Sequence, residues 1–98
     1  MTVLSMEEIT EMIRILLQKY SAESALLFGS YARGEATPSS DIDIILVGGE
    51  HFVPHNIFAF AEELRALSGR NADVFEIREI NNGSSLYKTV MKEGIRIA

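Results

Sequence analysis

Apolar residues recur along the chain with two different periods, and the alternation between them outlines a domain. Ile9, Met12, Ile13, Leu16, Leu17 and Tyr20 fall at helical spacing and predict a helix over residues 5–20 with one apolar face. Ser5, with Glu8 three residues later, is the capping-box pair expected at its start. A short apolar run over 24–28 ends at Gly29 and reads as a strand, and residues 30–35 read as a short helix beginning just after that glycine. A turn with Pro38 and two serines leads into the strongest strand signal, Asp-Ile-Asp-Ile-Ile-Leu-Val over 41–47, closed by Gly48-Gly49. Beyond Pro54 a second long helix is expected over 55–68, stopped by Gly69, with Ile57, Phe58, Phe60, Ala61, Leu64 and Leu67 as its apolar positions. A third strand is expected over 72–77, then a turn at Asn81-Asn82-Gly83, a last helix over 84–92 and a short tail over 95–98.

This order predicts one α/β (α+β) domain over residues 1–98: a small sheet with helices on one face. Strand directions stay open, although the interval from Val47 to Ala72 is long enough for a helical crossover. With 98 residues, 47% of them hydrophobic and 23% charged, the chain can bury one modest core. The absence of cysteine removes disulfides and thiolate zinc sites. No apolar run approaches a membrane span, and Glu7, Glu8 and Glu11 interrupt any layout of a secretion signal, so the cytoplasm is the expected compartment. The net charge of −5, with nine scattered Lys and Arg residues, excludes the basic stripe that binding of duplex nucleic acid would need.

The chemistry concentrates in Gly29-Ser30, ten residues, then Asp41-Ile42-Asp43. Residues i and i+2 of a strand share a face, so Asp41 and Asp43 are expected side by side, with Ile42, Ile44 and Leu46 opposite them in the core. Two adjacent carboxylates repel unless a cation neutralises them. Hard oxygen ligands without His or Cys favour magnesium or manganese, and a pair of ions could be bridged by both. Gly29 lets backbone approach a ligand closely, and helix N–H groups starting at Ser30 would face a phosphate. The pair of features suits a nucleoside triphosphate with its magnesium. Arg33 reads equally as a phosphate or partner contact and as a solvated helix residue. His51 and His55 read as loop residues, Phe58 and Phe60 as core and rim, and Tyr31 and Tyr87 as structural.

The string Gly-Ser-Tyr-Ala-Arg-Gly-Glu-Ala from Gly29, followed by Ser-Asp-Ile-Asp-Ile from Ser40, resembles the signature of the DNA polymerase beta nucleotidyltransferase superfamily. It is similar in particular to the minimal nucleotidyltransferases (MNT), often the antitoxin half of pairs with a HEPN-domain toxin. The resemblance implies that fold, with a small mixed sheet, and ATP and two magnesium ions at the site. It implies a third carboxylate on a neighbouring strand, for which Asp73 is the matching position. Glu76 is the fallback, but it is out of phase and should face the other way. It further implies transfer of AMP to a hydroxyl of a partner protein, a HEPN toxin modified on tyrosine, in a hetero-oligomer. Larger superfamily members present the acceptor on a second domain; with the sequence stopping at Ala98, another protein is expected to bring it. Two alternatives are weighed against this: an antitoxin that acts by occlusion alone, and the catalytic subunit of an antibiotic-type small-molecule nucleotidyltransferase. Intact Asp41 and Asp43 argue against a decayed site.

Overall fold

A computed structural model describes residues 2–98. Helix α1 (Met6–Tyr20) begins where the pattern predicts: the Ser5 hydroxyl accepts the Glu8 backbone N–H at 3.1 Å, and Ser21, in a left-handed conformation, ends it. Strand β1 (Ser24–Phe28) runs directly into the short helix α2 (Gly29–Arg33), which starts one residue earlier than expected. Strand β2 (Ile42–Val47) leaves Asp41 just before its first residue. Helix α3 (Asn56–Ser68), strand β3 (Ala72–Glu76), a 3-10 turn over Ile77–Glu79 and helix α4 (Ser85–Glu93) follow. The tail expected after Gly94 instead contains a two-residue strand, β4 (Ile95–Arg96), which pairs with β1.

The four strands form one mixed sheet in the order β3-β2-β1-β4. β1 pairs antiparallel with β2, and β3 lies parallel to β2 on its other side. Because β2 and β3 run the same way, α3 makes the crossover between them. α1 and α3 cover one face of the sheet, as the pattern predicts. Ile9, Ile13 and Leu16 of α1 and Phe60 and Leu64 of α3 meet Ile42, Ile44 and Leu46 there, all of them buried. Tyr20 and Phe60 join the two helices, with ring centroids 6.0 Å apart. The short α4 lies against part of the opposite face, where Val90 packs with Phe28 and Ile45. Phe58 and Leu67, grouped by spacing with the apolar positions of α3, stand exposed at 77% and 54%. The buried face of α3 follows Ile57, Phe60, Ala61 and Leu64, and these two residues lie off it. Among the described residues no helix is long and apolar enough to cross a membrane.

Two polar devices hold the β3 edge. Arg65 of α3 donates from Nε and Nη2 to the Ala72 carbonyl at 3.1 and 2.8 Å, covering the first outward carbonyl of the strand. Glu76, only 3% exposed, accepts the Gly48 N–H at 3.2 Å, the Arg78 N–H at 2.6 Å and Arg78 Nε at 3.1 Å. Glu76→Ala strips these donors of their acceptor and is expected to cost about 2–3 kcal/mol, read as a lower urea midpoint. Glu76→Gln, which keeps a carbonyl oxygen, is expected to lose less.

Candidate active site

The sheet gathers the carboxylates at one end. Antiparallel pairing sets Phe28, the last residue of β1, opposite Asp43 near the start of β2. Parallel pairing sets Asp73, near the start of β3, opposite the same Asp43. Equivalent positions on neighbouring strands point to one face, about 4.8 Å apart along the hydrogen-bonding direction. Asp41, two residues before Asp43, precedes the same end of β2. This is the face turned away from α1 and α3. Glu76 is three residues from Asp73 and sits in its own buried network, so of the two β3 candidates only Asp73 joins the row.

Electrostatics tie the row together. Burial pushes the Asp43 carboxyl up to about 6 from its ordinary 3.8; the negative charges of Asp73 and then Asp41 add to the rise, and the Arg33 guanidinium opposes it. Ionised Asp43 is therefore a group in need of positive charge. An all-carboxylate donor set suits a hard divalent cation. Among the described residues no three such side chains close around a point to hold a metal by themselves. Phosphate oxygens and water would complete the coordination, which is how magnesium is commonly held.

Gly29 stands directly over this row. Its φ is +76°, and a β-carbon built on it would overlap Oδ2 of Asp43. The glycine is thus required by the close approach of the Asp43 carboxylate, a reason the sequence does not disclose. α2 begins without a side-chain cap, so the N–H groups of its first turn are not taken by a capping side chain. Ser30 lies in that turn. Tyr31 has the structural role expected of it: its ring is buried and its hydroxyl accepts the Leu4 N–H at 3.4 Å, anchoring α2.

Arg33 closes α2 and pairs with Glu93 of α4 at 3.2 Å and with Glu35 at 3.6 Å. It bears on Asp43 electrostatically while being held from the other side by α4. Sequence reasoning misses Glu93, because 60 residues separate it from Arg33 and no local pattern links them. A larger cleft of about 590 Å³ opens at the other end of the sheet between α1 and the loop 48–51, and contains none of the carboxylates of the row. His51 lines that cleft and His55 flanks α3; neither approaches the site.

The model of the family described as "Nucleotidyltransferase domain" matches residues 9–97. Protein adenylyltransferase MntA of Thermococcus cleftensis is 30% identical over 101 residues, covering 99% of this chain and 100% of that protein. A Methanocaldococcus jannaschii protein, the candidate protein adenylyltransferase MJ1379, is 38% identical over 84 residues, covering 80% of this chain and 84% of its own. Among solved structures, a chain of the complex of tri-AMPylated Shewanella oneidensis HEPN toxin with MNT antitoxin superposes with a TM-score of 0.73. It is 20% identical, with 96% of this chain and 72% of that one covered, and at that identity the likeness is one of fold. These matches span nearly the whole described chain and place it: the chain belongs to the nucleotidyltransferase domain family and is a relative of the protein adenylyltransferases.

Proposed function

We propose that this enzyme transfers AMP from ATP to a tyrosine hydroxyl of a partner protein, a HEPN toxin, and thereby acts as its antitoxin. The observation that carries the transfer chemistry is the placement of Asp43 between Gly29 and Asp73, its carboxyl pushed up by burial and by the neighbouring carboxylates. The choice of AMP and of a protein acceptor is supported by the names of its relatives, and the HEPN partner by the complex that shares its fold.

In this reading Asp41, Asp43 and Asp73 would hold magnesium, which would offset their negative charge and supply Lewis-acid stabilisation of the reacting phosphates. The Gly29-Ser30 turn binds the triphosphate through backbone N–H groups and the Ser30 hydroxyl. Arg33 adds positive charge on the phosphate side. The acceptor oxygen forms a bond to the α-phosphorus as the bond from that phosphorus to the α–β bridging oxygen breaks. Pyrophosphate departs with the bridging oxygen, and the hydroxyl proton passes to Asp73. No Ser/His/Asp constellation is needed, because positioning and charge stabilisation supply most of the catalysis of phosphoryl-type transfer.

The test is transfer of label from α-phosphate-labelled ATP, with magnesium, to a protein in lysate of the host. A labelled band that appears with the parent enzyme and vanishes with Asp41→Asn/Asp43→Asn is the expected result. The same double variant should still bind the labelled protein once it is identified, yet fail to neutralise it. A variant that neutralises as well as the parent would establish occlusion instead. Label on a small molecule and on no protein would redirect the reading to a small-molecule transferase.

A further inference from the structure

We infer that the groove between α3 and the edge strand β3 seats the acceptor protein, taking an apolar or aromatic side chain next to the hydroxyl that is modified. The inference rests on the transfer reaction proposed above and adds to it the side from which the acceptor arrives.

The order of groups across the sheet sets that side. The Gly29-Ser30 turn follows β1, Asp41 and Asp43 belong to β2, and Asp73 lies on β3 at the edge. In phosphoryl-type transfer the attacking and leaving oxygens are roughly in line through the phosphorus. With pyrophosphate leaving over β1 and α2, the attacking hydroxyl enters over β3. Immediately beyond Asp73 on that edge is a groove of roughly 300 Å³, whose lining includes Ile57, Phe58, Ala61, Arg65, Asp73 and Phe75. Asp73 therefore belongs both to the carboxylate row and to the groove, so the two are continuous.

The groove carries unusual apolar exposure for so acidic a chain. Phe58 is 77% exposed, more than any other large hydrophobic residue described, and Phe75 is 40% exposed. The Phe75 ring is held against Phe28, with centroids 6.4 Å apart, on the sheet face that carries Asp73. Arg65 is committed to the Ala72 carbonyl and to Glu62, so the groove offers no free cation to a phosphate and suits an apolar occupant. A net charge of −5 disfavours a second copy of the same chain there. An exposed aromatic in a groove that shares Asp73 with the carboxylate row is the kind of residue that carries protein–protein affinity.

The experiment measures transfer to the acceptor protein identified by labelling, as a function of its concentration, for the parent, Phe58→Ala, Phe58→Tyr and Leu67→Ala. ATP affinity and oligomeric state are measured in parallel. Phe58→Ala is expected to raise the KM for the acceptor protein about 10-fold or more, the loss typical of truncating an aromatic anchor. The rate at saturating acceptor and the affinity for ATP should stay as in the parent. Phe58→Tyr should restore the KM, and Leu67→Ala, exposed on the same helix outside the groove, should leave it unchanged. Phe58 is too exposed for its truncation to open a core cavity. An unchanged acceptor KM in Phe58→Ala overturns the inference. A loss of ATP affinity assigns the groove to the nucleobase, and a parent dimer that Phe58→Ala dissociates assigns it to a second copy; either result overturns it too. Failure of the parent to label any protein removes the transfer reading, and the acceptor groove falls with it.

Discussion

Asp43→Asn is expected to do two opposite things: nearly abolish nucleotidyl transfer and make the protein more stable. The loss of transfer should be on the order of 10²–10³-fold, comparable to removing one group that stabilises charge in a transition state. The gain in stability follows from the position of the carboxyl. Burial, Asp73 and Asp41 raise its pKa to about 6, so the folded protein holds this proton more tightly than the unfolded chain does. The sign is the reverse of the common carboxylate. Above about pH 6 the ionised group costs stability in metal-free buffer; the penalty fades as pH falls through 6 and is gone near the ordinary carboxylate value of about 4. For a fully enclosed carboxyl such a rise would be worth roughly 3 kcal/mol, which the partial solvent access of Asp43 reduces to about 1 kcal/mol. For a domain of this size that is a rise in Tm of about 4–8 °C at pH 8. Melting of parent and variant at pH 8 and pH 4.5, without divalent metal, checks it. The two should differ at the higher pH and converge at the lower. A variant less stable than the parent at pH 8 would mean that the carboxylate is satisfied in the free protein, and that the row has no need of a cation.

The parent retains the residue for the same physical reason. A carboxylate that destabilises the empty protein is poised to be neutralised by a bound ion, and the relief adds to the binding free energy. Stability given up at a site and recovered on ligand binding is a common arrangement in enzymes.

Much of this site is legible in the chain, for a physical reason. The i, i+2 repeat of a strand places Asp41 and Asp43 together without reference to anything distant, and a turn glycine before a short helix is a local signal. The alternation also puts Ile42, Ile44 and Leu46 in the core, where they are. Phase alone sets Glu76 aside, and its buried network with Gly48 and Arg78 shows why it has another task. What cannot be read is everything set by pairing. Asp73 meets Asp43 only because β3 runs parallel to β2 in one register, and a slip of one residue would turn it to the opposite face. Ile95-Arg96 has no periodicity of its own; it is a strand only because the free edge of β1 accepts it. Phe58 is a hydrophobic residue whose exposure reflects the angular position of α3 and not its composition. The Arg33–Glu93 pair joins elements that no local rule brings together.

Gly29→Ala is expected to disable the enzyme through Asp43. Two penalties combine at this position. An alanine at φ +76° costs about 1–2 kcal/mol in the backbone alone. Its β-carbon would in addition overlap Oδ2 of Asp43, so the carboxylate must move. Displacing a positioned group by about 1 Å can cost 10²-fold in rate, and a loss of that order is the expected result in the label-transfer assay. Gly34 supplies the control. It too is left-handed, at φ +73°, but a β-carbon there meets nothing within 4 Å. Gly34→Ala should lose the backbone part of the stability and keep the transfer. Combining Gly29→Ala with Asp43→Ala separates the two penalties. If the overlap is real, the double variant is more stable than the sum of the single losses allows, by about 0.5–3 kcal/mol, the range measured for groups in contact. Strict additivity would leave only backbone strain at Gly29. It would also mean that Asp43 swings clear without consequence, so that the β1–α2 turn and the first residues of β2 would not form a single seat for the reacting phosphate.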